Sequence, residues 1–326
     1  MADTFYNQIA ENKRKSILLT LIVVALFMAL GFSIGFAASG EPSGAIAVMV
    51  IALLVGGGIA LASYFGGSAL VLRVSGAREV DATSAPQLMN VVQELSIAAN
   101  VPMPKVYIID DTAPNAFATG RDPKHASVAI TSGLLEKLDR EELQGVLGHE
   151  LSHVRNFDIR FAMIVGVLVG SIALLADFFL RFSFFGGMGR GRSRDREGGG
   201  NGLQVIFFVV AIVLSIVAPI VARFVQLAVN RQREYLADAS AVELTRNPYG
   251  LERALAKISA DPEVLEVANR ATQHMYFTNP IKKFEERSKG LFSTHPATVD
   301  RINRLRELSG EKPLEASEMA QFAELD

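Results

Sequence analysis

In the stretch GHELSHVRNFD, from Gly148 to Asp158, two histidines stand four residues apart with a glutamate directly after the first. Residues i and i+4 of a helix lie one above the other, so His149 and His153 can aim both imidazoles at one zinc ion. Glu150 sits at the edge of that face, where its carboxylate can act as a general base on a metal-activated water without ligating the metal. Such a trio is built for metal-assisted hydrolysis. The motif is specific in a chain with five histidines, and two histidines merely packed on a helix face are the weaker alternative.

A catalytic zinc site takes three protein ligands and keeps a fourth position open. The remaining histidines are His125, His274 and His295, and carboxylates are plentiful. The segment NRQREYLADAS offers Glu234 and, one turn later, Asp238. One carboxylate could ligate the metal while the other accepts the second N–H of a ligand histidine. Spacing alone does not choose, because such a pair also suits a solvated helix face.

These groups need elements to hold them. Asp139 with Glu142 forms a capping box, and Leu143, Val146, Leu147, Leu151 and Val154 recur at helical spacing, so both histidines fall on a helix. Upstream, the pattern predicts a helix from Pro86, a strand at KVYIID, and a strand turning into a helix at SVAITSGLLEKL. NRQREYLADASAVELTR reads as another helix, with further helical patterns at Leu251 to Ser259 and Thr298 to Leu308 before a frayed acidic tail.

Half of the 326 residues are hydrophobic, and they gather in blocks. Residues 16–38 and 44–72 carry no charge, 161–180 carry only Asp177, and 203–222 carry none. Each block approaches or exceeds the roughly 20 residues a membrane span needs, so four spans are expected. The first block is longer than the core of a cleavable signal peptide, despite Lys13, Arg14 and Lys15 before it. Asp177, near Arg181, suits an interfacial carboxylate. A Gly/Arg-rich connector, 182–202, joins the last two spans. Net charge is −2, so nothing points to nucleic acid, and with no cysteine there is no disulfide framework.

The chain resembles the HtpX-type membrane metalloproteases, relatives of the CaaX prenyl endoproteases, through the paired N-terminal spans and PNAFATG, GHELSH, REYLADASA and FSTHPATVDRI. That resemblance implies a mainly α membrane protein, four transmembrane helices plus an α+β gluzincin-like protease domain with a small sheet. It makes Glu234 the third ligand of one Zn2+ per chain, Asp238 the support of a ligand histidine, and Glu150 the base. It places His295, with Arg301, beside the oxyanion, where a preformed donor lowers the barrier. It also makes Asn115, Ala116, Phe117 and Ala118 a substrate-facing edge, which would hold an unfolded chain as an added strand. His125 and His274 match no ligand role and read as structural or exposed.

The expected layout is a cytoplasmic segment 1–15, a membrane hairpin 16–72, a first protease part 73–158, spans and connector 159–228, and a second protease part 229–326. One metal cannot be shared across a bilayer, so spans three and four must return the chain to its starting side; whether the histidine helix runs on into the third span stays open. Lys13, Arg14, Lys15, Arg73 and Arg78 flank the first hairpin on one side against Glu41 on the other, which puts the N-terminus and protease domain in the cytoplasm of a multi-pass inner (plasma) membrane protein. The arginines of the connector oppose that orientation. The expected substrates are misfolded or membrane-associated proteins, handled in quality control beside the lipid bilayer. A specific maturase of a membrane-protein precursor and a non-catalytic zinc-bound scaffold are the alternatives, and oligomeric state is left open.

Overall fold

The structure is a computed structural model and describes residues 5–185, 202–263 and 296–315. The chain splits into two compact units, one of Met1–Ser63 and Ala162–Val229, the other of Tyr64–Phe161 and Asn230–Asp326.

The first unit draws on α1 (Phe5–Ser39), α2 (Pro42–Val74), α6 (Asp158–Phe185) and α7 (Gly202–Thr245). Among the described residues three helices are long and apolar enough to cross a membrane: Leu21–Ser39 within α1, α2, and α7. The expected third span falls in α6, which is not among them. Asp177 on α6 is exposed and ion-paired to Arg181 one turn on, at 2.7 Å. The connector at 186–201 lies outside the described residues. The fourth apolar block and the NRQREYLADAS segment, expected as separate elements, form one helix of 44 residues, because no breaker other than Pro219 interrupts the run.

The second unit is built on a four-stranded sheet of β1 (Arg78–Val80), β2 (Lys105–Ile109), β3 (Ala116–Gly120) and β4 (Ala126–Thr131), in the order β1-β2-β4-β3. The central pair is parallel and both outer pairs are antiparallel, which leaves β3 at an edge. Alternation along the strands divides the side chains. Val106, Ala116, Ala118, Val128 and Ile130 join the main core with α3 (Pro86–Ala99), α5 (Arg140–Arg155), α8 (Pro248–Ala260) and α9 (Thr298–Ser309). Ile109, Phe117 and Ala129 face the other way and pack with Leu72. The short α4 (Ser132–Lys137) follows β4 at once, capped by the Thr131 hydroxyl.

Helix α5 starts at the expected capping box, with the Asp139 carboxylate accepting from Glu142 N–H and the Glu142 carboxylate from Asp139 N–H. Leu143, Val146, Leu147, Leu151 and Val154 are all buried in the main core. Helix α8 approaches so closely that a Cβ on Gly145 would stand 2.6 Å from the backbone N of Leu251, so only glycine fits there. The helix ends at Arg155. Phe157 takes a left-handed φ of 59°, and α6 starts afresh at Asp158. The histidine helix therefore does not run unbroken into the next.

Glu252 on α8 is fully buried, and burial, reinforced by Glu311, pushes its carboxyl up to about 7, with Arg306 pulling the other way from 3.8 Å. A carboxyl with a raised folded pKa contributes stability that is complete below its unfolded value and is lost as pH rises through about 7. Glu252→Gln should remove that part of the pH dependence and raise stability at pH 8 by an amount on the order of 1–3 kcal/mol, seen as a higher melting temperature. Melting curves from pH 5 to 8 that run parallel for both proteins would refute this.

Candidate metal centre

The convergence of α5 and α7 builds the centre. His149 Nε2 and His153 Nε2 lie 3.1 Å apart, at successive turns of α5. Glu234, on α7, places Oε2 at 3.5 Å from the first and Oε1 at 3.5 Å from the second. One ligand atom from each residue falls within 4.8 Å of the others. Behind the imidazoles, His149 Nδ1 is 2.8 Å from Asp238 Oδ1 and His153 Nδ1 is 3.1 Å from Asp158 Oδ2. A carboxylate accepts only, so both Nδ1 atoms are assigned the proton and both Nε2 atoms present lone pairs. Two lone pairs and a carboxylate then face one small volume, an arrangement that a divalent cation reconciles.

Electrostatics agree with that fit. Burial would lower His153, but its bonds to Asp158 and Glu234 and the charges of both outweigh it and raise the imidazole to about 10. The volume thus attracts positive charge. Asp238 shows the same contest: burial would raise it, and Arg301 together with His149 holds it below the usual carboxylate range.

Glu150 is 2% exposed, and its carboxylate accepts the backbone N–H of Ala118 on the edge strand β3. Burial pushes its pKa up, with Glu234 adding and both histidines opposing. Ala116 and Ala118 point into the core that α5 shares, so their small side chains let β3 come close to the Glu150 helix. The sequence reading had assigned the small residues of this strand to an approaching substrate. Asn115 directly precedes the strand, its N–H donating to Thr131 Oγ1 and its side chain accepting from Ala116 N–H, while Phe117 is fully buried.

The pattern of peptidase family M48 matches residues 81–309, a stretch that contains all of these groups. The chain belongs to peptidase family M48. The M48 assignment is supported along most of the chain by a protein named Protease HtpX homolog from Streptococcus uberis, 44% identical over 303 residues, covering 93% of this chain and 99% of that one. The protein of the same name from Lactobacillus helveticus is 42% identical over 304 residues with the same coverage. Among solved structures, S. mikatae Ste24p overlays with a TM-score of 0.48 at 17% identity, over 92% of this chain and 67% of that one, too distant a likeness to argue from. This M48 peptidase is a metalloprotease of the membrane-associated HtpX kind.

Of the two residues expected beside the oxyanion, Arg301 is the one among the described residues. His295 lies outside the described residues, as does His274. Arg301 is 2% exposed, with Nε 2.9 Å from Asp238 Oδ2 and Nη2 2.7 Å from Oδ1. A buried guanidinium needs its counter-charge, and the two-pronged grip on Asp238 supplies it. Its Nη1 is also 3.5 Å from Glu234 Oε2. His125 is on the surface, its ring between Asp122 and Arg121. The sequence reading passed over Asp158 and Arg233. The only hint was the run RNFD after the second histidine, where Asn and Asp mark a helix stop and restart.

Proposed function

We propose that this chain is a zinc endopeptidase of four spans in the inner (plasma) membrane, its protease domain facing the cytoplasm, which hydrolyses peptide bonds of misfolded or membrane-associated proteins. The observation that carries the reading is the meeting of His149 Nε2, His153 Nε2 and the Glu234 carboxylate around one point, with Glu150 buried on the same helix. Two imidazoles and a carboxylate, with a fourth position left over, are a donor set that zinc takes in hydrolytic sites. The two relatives named Protease HtpX homolog support the same reaction.

Bound zinc supplies Lewis acidity to the carbonyl and to a water at the open position. The rest falls to the protein. Glu150 accepts the proton of the attacking water at its carboxylate and hands it to the departing amine, and burial, which raises its pKa above the ordinary carboxylate value, makes it a stronger base. Asp238 accepts a hydrogen bond from Nδ1–H of His149 and holds that ring in the ligating tautomer, and Arg301 fixes Asp238 in turn. His295 is assigned to the oxyanion on the resemblance of FSTHP. The open edge of β3, beside Glu150, is the natural rail for an extended substrate, whose main chain pairs with the strand and whose side chains are read loosely.

The basic residues around the first hairpin favour the cytoplasmic orientation. Purified full-length protein in detergent should cleave an unfolded reporter, lose that activity on chelation, and regain it with one zinc per chain. Undiminished cleavage by protein shown to be metal-free would end the proposal.

A further inference from the structure

Behind each metal-facing imidazole stands a carboxylate, and behind each carboxylate a guanidinium. The His149 set, Asp238 and Arg301, draws on α7 and α9. The His153 set draws on the opposite end of the site. Asp158, the first residue of α6, reaches His153 Nδ1, and Arg233 on α7 holds Asp158 twice, with Nη1 2.8 Å from its carbonyl oxygen and 3.3 Å from Oδ1. Both residues are sealed from solvent, at 6% and 9% exposure.

The backbone is shaped to make this contact. Asp158 follows His153 by five positions. Had α5 continued straight, that spacing would turn the two side chains about 140° apart around the helix axis. The stop at Asn156 and the left-handed Phe157 fold the chain back, so that residue 158 faces the ring. A left-handed conformation is unfavourable for a bulky aromatic residue and persists where its surroundings enforce it. Arg233 enforces it from the other side by gripping the carbonyl of Asp158 as well as the carboxylate.

We infer that Asp158, locked by Arg233, is a positioning residue for His153: it accepts a hydrogen bond from Nδ1–H, leaves the Nε2 lone pair facing the metal, and so sets the affinity of the site. The inference rests on the assignment of His153 as a ligand. A neutral imidazole carries one proton, and with that proton on Nε2 it cannot ligate. Asp158 selects the useful tautomer and its negative charge makes the ring a stronger donor. Asp158 also stands at the N-terminus of α6, where a carboxylate favours the helix regardless of any metal. The two roles predict different measurements.

The test uses the full-length protein in detergent, loaded with cobalt(II) for its absorption spectrum and titrated with zinc against a chromophoric chelator. Asp158→Asn should weaken zinc binding about 10- to 100-fold and alter the cobalt bands; it also takes the counter-charge from buried Arg233 and lowers the melting temperature of the metal-free protein, so affinity and spectrum are the deciding readouts. Arg233→Met should weaken binding in the same direction and Arg233→Lys should recover part of it, which keeps the idea testable if Asp158→Asn folds poorly. Affinity within twofold of wild type and unchanged cobalt bands in both Asp158→Asn and Arg233→Met would overturn it, leaving Asp158 as a helix-terminal residue. His153→Ala separates the levels: if it binds zinc as tightly as the wild type, the ligand assignment itself falls and this inference falls with it.

Discussion

Glu150→Gln should lower peptide-bond hydrolysis by about 10²- to 10⁴-fold, the range that one general base supplies, while metal content and melting temperature stay close to wild type. Glutamine is nearly isosteric, and its side-chain oxygen can still accept the Ala118 N–H that holds Glu150 in place. What it cannot do is take a proton. Burial, with Glu234 nearby, raises the native carboxyl above its ordinary value against the pull of the two histidines, which strengthens it as a base. The measurement is cleavage of an unfolded reporter by metal-loaded wild type and variant, with complementation of a null strain beside it. A variant that binds metal, folds and retains more than about a tenth of the activity would remove Glu150 from the chemistry, since even the weakest general base supplies about 10²-fold. Full complementation would also revive the scaffold alternative.

Arg301→Met should cost about 3–5 kcal/mol of stability, as expected when one partner of a buried ion pair is removed and the other stays charged. Asp238 would be left as a buried carboxylate with only His149 to answer it, and Glu234 would lose a positive neighbour at 3.5 Å. Both losses bear on the metal site, so metal affinity should fall along with the melting temperature. Arg304→Ala is the control: Arg304 lies on the exposed side of the same helix, its guanidinium 4.7 Å from the Tyr235 ring centroid, and its loss should cost about 0.5–1 kcal/mol. The double change Arg301→Met with Asp238→Asn should recover part of the lost stability, because the uncompensated charge is then gone. Equal unfolding midpoints for Arg301→Met and wild type would show that Asp238 does not depend on this cation.

The histidine helix could be read from the chain because every local signal agreed: the capping box, the apolar spacing and the four-residue step between ligands all sit within α5. Glu234 and Asp238 needed the resemblance, since a carboxylate pair on a helix looks the same whether it meets a metal or water. Asp158 escaped because its partnership depends on a backbone reversal at Phe157, and nothing in the residue type of phenylalanine announces a positive φ. The FSTHPATVDRI resemblance sets Arg301 beside the oxyanion but does not announce its contact with Asp238. Being near a metal in sequence motifs does not say which way a guanidinium points, whereas its burial with Asp238 does. The span count met a similar limit: among the described residues three helices, in α1, α2 and α7, are long and apolar enough to cross, and the fourth span stays a proposal. The alanines of β3 were legible as small but not as neighbours of α5.

Arg301 follows Asp238 by 63 positions. Ribosomes make proteins from the N-terminus, so the growing polypeptide acquires its histidines, its base and Glu234 while the cation that steadies them has yet to be translated. The buried Asp238 carboxylate therefore meets its guanidinium only once α9 has been translated.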